Sequence, residues 1–203
     1  MEKQLPQRKP TRLSDFDYST EGAYFVTICT QDRKQILSEI VKVGEGLAPP
    51  EYLTILKPCG KIADEQIHLL EERYPNITVM NYVIMPDHIH MIIFIRKTAG
   101  GASPSPTSGG KVCGNEARGA SPSPTVDDMV CGNEAGGASP SPTLDGVICS
   151  FKSLTSRACK KQVGIEKMFQ RSFFDHVIRD MEDYETRRKY IYENPMRWYE
   201  TQE

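Results

Sequence analysis

Two histidines separated by one residue are the first candidates for chemistry in this sequence. His88 and His90 lie inside the apolar, β-branched run from Tyr82 to Ile95, and the chain has only two other histidines. Side chains at positions i and i+2 of a strand share one face, so this run predicts two imidazoles directed at one point. Neutral imidazole is the commonest metal-ligating side chain, and a strand holds a ligand pair rigidly. A paired polar face on a half-buried strand fits the same pattern, so the pair alone leaves both interpretations open.

A second candidate lies about a hundred residues later, in a charged segment rich in tyrosine. Residues 181–193 are predicted to form a helix, and Asn194 and Pro195 close the segment. Because the residue before proline avoids the α region, we expect the helix to end at or just before Asn194. Positions i and i+4 share a helical face, which places Tyr190 beside Asn194. A tyrosine in such a helix is more often a core or rim aromatic than a nucleophile, and the residues alone favour that interpretation.

The elements that must position these candidates are predicted to be mixed α and β. Runs of β-branched and aromatic residues indicate strands, and apolar residues at helical spacing indicate helices. Pro86 and Asp87 are expected to turn two of the strands into a hairpin, with the histidines at the start of its second strand. The predicted strands are 23–30, 36–43, 77–85, 89–95 and 172–179, and the predicted helices are 60–74, 144–161 and 181–193.

An internal repeat interrupts these elements. Residues 112–125 are copied at 130–143 with one change, and 101–107 form a partial third copy, with a period of 18 residues. Gly, Ser, Pro and Ala dominate the repeat, and this composition buries too little apolar surface to offset the entropy of ordering. We therefore predict one domain, formed by residues 1–97 and 147–203, that carries a flexible insertion at 98–146.

Composition argues against several classes of protein. No apolar run approaches the roughly 20 residues needed to span a bilayer, so no membrane partner is expected. The charged N-terminal residues lack the apolar core of a secretory signal, so we expect a cytoplasmic protein with reduced thiols. The six cysteines form no Cys-x-x-Cys. Neither a disulfide framework nor a thiolate zinc site is predicted.

Net charge does not identify a nucleic-acid-binding protein, since 25 basic and 27 acidic residues give −2. The insertion contributes two basic and five acidic residues, so the remainder of the chain carries +1. Basic clusters in this remainder could follow a phosphate backbone, and ordinary solvated faces fit them equally. The clusters are Lys3/Arg8/Lys9/Arg12, Arg157/Lys160/Lys161 and Arg187/Arg188/Lys189.

Four separated blocks occur in the order found in one protein family. They are Asp17-Tyr18 with Gly22–Thr30, then Val83-Ile-Met-Pro-Asp-His-Ile-His90, Phe169-Gln-Arg-Ser-Phe-Phe-Asp-His-Val-Ile-Arg-Asp180 and Tyr190-Ile-Tyr-Glu-Asn-Pro195. Together they resemble the REP-associated tyrosine transposases, relatives of the single-tyrosine transposases of small insertion sequences within the HUH endonucleases. The resemblance covers most of residues 11–97 and 147–198.

The resemblance implies an α+β fold of the ferredoxin-like or RRM-like type. In this fold helices back an antiparallel sheet, and the His-x-His motif lies on a central strand. His88, His90 and Asn194 would then bind a divalent metal, and Tyr190 would be the catalytic nucleophile. Because two imidazoles and an amide oxygen form a mixed set of ligands with open positions, Mg²⁺ or Mn²⁺ is expected rather than a closed zinc site.

The implied activity is transposition-related nicking and rejoining of single-stranded DNA that carries a hairpin. The metal would polarise the phosphate, and the tyrosine would form a covalent 5′-phosphotyrosine. Tyr192 and Tyr184 are rival nucleophiles, and Tyr192 points to another helical face. The protein would act in the bacterial cytoplasm, at the nucleoid, as a monomer or homodimer.

DNA contacts are expected from basic and aromatic side chains. Trp198 and Tyr199 are candidates for stacking on unpaired bases. His176 fits a structural hydrogen bond and a DNA contact equally. The candidate DNA-binding residues are Lys152, Arg179, Arg187, Arg188 and Lys189.

Two other functions fit parts of the sequence. One is a regulatory protein that binds DNA hairpins and whose catalysis the insertion has impaired. The other is an unrelated metal-dependent hydrolase that uses His88 and His90, which leaves the Tyr190–Asn194 block unexplained.

Overall fold

The computed structural model describes residues 20–44, 51–97 and 143–202. Most of the predicted insertion and the N-terminal basic cluster lie outside these ranges, so the predictions made for them stay predictions. The elements, in chain order, are β1 (Gly22–Cys29), β2 (Ser38–Val43), β3 (Glu51–Leu56), α1 (Pro58–Arg73), β4 (Ile77–Ile84), β5 (His88–Ile95), α2 (Leu144–Val163), β6 (Phe174–Ile178) and α3 (Met181–Glu200).

Four of the strands form one antiparallel sheet in the order β4-β5-β1-β6. With α1 before β4 and α2 between β5 and β6, this is the split βαβ arrangement of ferredoxin-like folds. The predicted fold class is therefore confirmed, including the interior position of β5. The register pairs His90 with Thr27 and His88 with Cys29 across β5 and β1.

The two faces of the sheet bury different partners. On one face, alternate residues of β1 and β5 pack in the main core together with α1 and α2. On the other face, Phe25 and Ile92 pack against Ile191 of α3. Because strand side chains alternate, His88 and His90 share the second face with Ile92. The prediction that both imidazoles project from one face is confirmed. The residues of β1 and β5 in the main core are Tyr24, Val26, Ile28, Ile89, Met91, Ile93 and Ile95.

Hydrogen bonds hold the turn before β5 in place and so position the histidines. Pro86 and Asp87 form the predicted turn between β4 and β5, closed by a hydrogen bond of 2.8 Å from the Met85 amide to the His88 carbonyl. The Thr30 side chain and amide both donate to the Asp87 carbonyl at 2.9 Å. The turn that precedes His88 is therefore anchored to the end of β1.

A separate hairpin, β2–β3, contains the one strand that the sequence pattern does not predict. In β3, the apolar residues Leu53 and Ile55 are about half exposed. The alternation that normally identifies a half-buried strand is therefore inverted here. On the inner side of the hairpin, Tyr52 contacts Tyr199 of α3, with ring centroids 5.5 Å apart.

Helix α3 corrects one prediction. The helix does not end at Asn194 but continues through Pro195 to Glu200. An interior proline removes one backbone hydrogen bond and costs about 3 kcal/mol. Tertiary packing offsets this cost, since Asn194 and Pro195 are buried and Trp198 and Tyr199 in the last turns contact His88 and Tyr52.

Candidate active site

One face of α3 lies over the histidine-bearing face of the sheet. Its residues are three or four positions apart and so line up along the helix. Each of these residues contacts a side chain on the histidine-bearing face of the sheet or a side chain beside it. The face consists of Asp183, Arg187, Tyr190, Asn194 and Trp198.

His88 is held by an acidic neighbour. Its Nδ1 lies 2.5 Å from Asp87 Oδ1, and the other carboxylate oxygen lies 3.4 Å from the Arg33 guanidinium. An ionised carboxylate only accepts hydrogen bonds, so the imidazole proton resides on Nδ1 and the lone pair on Nε2. The Asn194 side chain lies close enough to His88 to raise the pKa of the imidazole. α3 therefore brings Asn194 to the imidazole, as the sequence predicts.

His90 is oriented through the neighbouring strand. Its Nδ1 lies 2.8 Å from Thr27 Oγ1, and its ring stacks on Phe25 with centroids 5.2 Å apart. Its Nε2 is buried and has no hydrogen-bond partner among the described residues. A buried polar atom without a partner is rare and calls for an explanation. A ligand that accepts the nitrogen lone pair would supply one.

Both imidazoles are neutral at ordinary pH. Burial lowers the pKa of His88, partly opposed by its hydrogen bond and charge interaction with Asp87. Burial lowers the pKa of His90 to about 3, together with repulsion from His88 when that ring is protonated and from Arg33. Neutral imidazole is the form that binds metals, so burial keeps the pair in its ligating state.

The donor set fits a divalent ion with open positions. The two imidazole centroids are 4.5 Å apart, and the Asn194 amide reaches the first ring. Within 20–44, 51–97 and 143–202, no group of three or more His, Cys, Asp or Glu side chains could hold a metal. The protein donors at this point are thus two nitrogens and one amide, which argues against a closed structural zinc site.

Tyr190 is the tyrosine that lies at the histidines. Its ring is 5.1 Å from that of His90 and 6.0 Å from that of Phe25, and it is 36% exposed. Tyr192 is 86% exposed and lines a cavity of about 640 Å³ between α3, β3 and β4. The Tyr184 hydroxyl donates to Asn81 Oδ1 at 3.0 Å. Of the three tyrosines considered, only Tyr190 combines access to solvent with contact to a histidine.

The predicted DNA-binding residues are dispersed. Arg188 and Lys189 line the same cavity as Tyr192 and pair with Glu185 and Glu193. Arg179 is exposed after β6. Only Arg187 lies next to the histidine-bearing face, with its Cζ 5.5 Å from the Phe25 ring centroid.

Lys152 and His176 have structural partners. The Lys152 ammonium donates to the carbonyls of Gln170 and Arg171 at 2.6 and 2.7 Å, so it fixes the loop before β6. His176 Nε2 lies 2.7 Å from Asp183 Oδ2, which is the structural hydrogen bond that the sequence left open. Contact with DNA stays a prediction for both residues.

Sequence reasoning missed the residues that orient the imidazoles. Asp87 adjoins His88 in the chain, and an acidic residue beside a candidate ligand is a usable signal. Thr27 and Phe25 lie more than 60 residues before His90. Only the register of β1 against β5 brings them together, so no local pattern could have identified them.

Comparison with known proteins supports the fold. No family model matches the chain. An uncharacterised protein of Haemophilus influenzae is 24% identical over 198 residues, which cover 98% of this chain and 93% of that protein. Among solved structures, a REP-associated tyrosine transposase bound to a REP hairpin superposes with a TM-score of 0.52 and 16% identity, over 94% of this chain and 74% of that one. The chain has the fold of this transposase. The fold implied by the sequence resemblance is thereby confirmed.

In the parts of the chain that the structure describes, no helix is both long and apolar enough to cross a bilayer.

Proposed function

We propose that this protein is a REP-associated tyrosine transposase, a metal-dependent enzyme that nicks and rejoins single-stranded DNA bearing a hairpin. One observation carries the proposal: Tyr190 and Asn194 on α3 meet His90 and His88 on β5. The candidate nucleophile and the candidate metal ligands thus lie together in a chain with the fold of a transposase that was solved bound to a REP hairpin.

The proposed reaction is a transesterification at phosphorus. The Tyr190 oxygen forms a bond to phosphorus, the bond from phosphorus to the 3′ oxygen breaks, and the 3′ oxygen leaves with the electron pair and gains a proton. The phenol proton passes to solvent. The products are a 5′-phosphotyrosine and a free 3′-OH. Attack by a second 3′-OH reverses these steps, releases the tyrosine and joins a new strand without ATP.

A divalent ion held by His88, His90 and Asn194 would supply Lewis-acid stabilisation of the phosphate charge. The protein's own contribution is to hold these side chains in the orientation and tautomer that bind a metal. Asp87 fixes the His88 tautomer with Nε2 available. Such outer hydrogen bonds commonly set ligand orientation and basicity in metal sites.

All the residues proposed for the reaction come from one copy of the chain. Tyr190 contacts His90 of its own chain, so a monomer carries a complete set. This supports cleavage in cis by a monomer over a site shared between the subunits of a homodimer.

The deciding experiment incubates the full-length protein with hairpin-bearing single-stranded DNA and Mn²⁺ or Mg²⁺, then looks for a covalent adduct on a denaturing gel. The adduct is expected with the wild type and should disappear in Tyr190→Phe. Tyr192→Phe is the matched control, because its ring is two residues away and largely in solvent. It should keep the adduct.

The alternatives predict different outcomes. Tight hairpin binding without an adduct in either metal would support a regulatory hairpin-binding protein. Metal-dependent hydrolysis that survives in Tyr190→Phe would support an unrelated hydrolase that uses the two histidines.

A further inference from the structure

Three side chains from two elements form a hydrogen-bonded network beside Tyr190. His176 Nε2 of β6 lies 2.7 Å from Asp183 Oδ2 of α3. The other oxygen of Asp183 accepts from Arg187 Nε at 3.2 Å. The carboxylate therefore bridges an imidazole and a guanidinium, and it ties the first turns of α3 to the edge of the sheet.

The Arg187 guanidinium, at the end of this network, lies at the candidate active site. Arg187 Cζ is 5.5 Å from the Phe25 ring centroid, and the same ring contacts Tyr190 and stacks on His90. Arg187 and Tyr190 are three residues apart and so lie on one helical face. The basic group, the nucleophile and one candidate metal ligand thus surround a single phenyl ring.

The Arg187 side chain is held in place, but only part of its hydrogen-bonding capacity is used. Its Nε is bonded to Asp183, and the side chain is 34% exposed. For its two terminal nitrogens, the described residues provide no hydrogen-bond acceptor. Burial raises the pKa of Asp183, but the hydrogen bonds and charges of His176 and Arg187 hold it below its ordinary value. Asp183 therefore stays ionised and keeps the guanidinium in place.

An ordinary surface ion pair explains only part of this arrangement. An Asp–Arg pair at i, i+4 stabilises a helix only weakly and on its own leaves the arginine mobile. Here His176 of β6 also holds the Asp183 carboxylate, and the Phe25 ring packs against the guanidinium. Ordering an arginine costs side-chain entropy, and an arginine fixed before substrate binds does not incur that cost during the reaction.

We infer that Arg187 binds a non-bridging oxygen of the phosphate that Tyr190 attacks, with Asp183 and His176 as its positioning residues. The inference rests on the proposed function. The planar guanidinium matches the geometry of phosphate oxygens. With Nε bonded to Asp183, the terminal nitrogens are left for the phosphate. Charge on the phosphate is then neutralised from the side of Phe25 as well as from the side of the histidines.

The first test measures the single-turnover rate of adduct formation and, separately, the Kd for the hairpin DNA. Arg187→Gln should slow adduct formation about 100-fold, the usual effect of losing one donor to a developing charge, while Kd changes only a few-fold. Arg197→Gln is the matched control, since Arg197 also pairs with a carboxylate on α3 but is largely exposed. It should react at the wild-type rate.

A second test separates phosphate binding from a merely structural effect. A methylphosphonate at the mapped cleavage position replaces a charged oxygen by a methyl group. The Arg187→Gln defect should shrink on this substrate if the guanidinium acts on that charge. A defect of the same size on both substrates would overturn the inference.

A third test concerns the positioning residues. Asp183→Asn should slow adduct formation in the wild-type background and have little further effect in Arg187→Gln, because both changes remove the same interaction. Additive effects would overturn the positioning role. If the wild type forms no adduct at all, the proposed function fails. If the wild type reacts and Arg187→Gln reacts equally fast, only the present inference fails.

Discussion

The rings of Tyr190 and His90 meet edge-on, with centroids 5.1 Å apart and planes at 68°. One belongs to the last helix and the other to an interior strand, so the site exists only where α3 crosses β5. Changes to His88 or His90 should therefore alter metal binding, and changes to Tyr190 should alter the covalent chemistry.

Removal of an imidazole should abolish stabilisation by metal. A ligand that binds only the folded state raises the melting temperature, by an amount that grows with the logarithm of ligand concentration divided by Kd. We expect Mn²⁺ to raise the Tm of the wild type and of His68→Ala, because His68 is an exposed residue of α1. His90→Ala should lose the shift. A full shift in His90→Ala, measured by differential scanning fluorimetry, would exclude His90 as a ligand.

Loss of the Thr27 hydroxyl should weaken metal binding without removing a ligand. Thr27→Val keeps a β-branched side chain in β1 but deletes the hydrogen-bond partner of His90 Nδ1. Changes of such outer partners typically lower metal affinity about 10–100-fold. Calorimetric titration with Mn²⁺ would measure this. Thr54→Val, on the separate β2–β3 hairpin, should bind as the wild type does, and equal affinities for both variants would contradict the assigned role.

Replacement of Lys152 should affect stability rather than DNA binding. Lys152→Met removes charge-assisted hydrogen bonds to the loop before β6, which should lower the free energy of unfolding by about 1–3 kcal/mol. The slope of log Kd against log salt should not change. If Lys152 contacted a phosphate, the slope would decrease by about one. Lys61→Met on α1 serves as the control for a lost surface charge.

Two glycine substitutions should have opposite effects on stability. A Cβ at Gly60 would lie 1.9 Å from the Leu37 carbonyl oxygen, which is itself bonded to the Lys57 amide. Gly60→Ala must displace backbone and should destabilise by about 1–3 kcal/mol or more. A Cβ at Gly146, in the first turn of α2, meets nothing closer than 3.5 Å. Gly146→Ala should stabilise by about 0.5–1 kcal/mol, and urea unfolding would measure both changes.

Local patterns predicted the parts of the site that depend on one element. Alternation along a strand placed His88 and His90 on one face, and helical spacing placed Tyr190 with Asn194. The turn at Pro86 and Asp87 followed from residue type alone. In each case the period of a single strand, helix or turn determines which side chains point the same way.

The parts that sequence could not predict depend on contacts between distant segments. The contact of Thr27 with His90 requires the register of two strands, and β3 is a strand although it exposes Leu53 and Ile55. The predicted end of α3 was wrong because the rule that a residue before proline avoids the helical region considers only the local sequence. Packing of Pro195 and Trp198 against the rest of the domain overrides it.

Because α3 continues through Pro195, an inserted or deleted residue within it would change which side chains face the histidines. One residue added between Tyr190 and Asn194 would rotate everything downstream by about 100°, and Asn194 and Trp198 would turn away from His88 together. The connection between β5 and α2 carries a long repeat, yet it adjoins neither the histidines nor α3 in the chain. We therefore expect changes of length there to leave the site intact, whereas any change in the spacing from Asp183 to Trp198 would disrupt it.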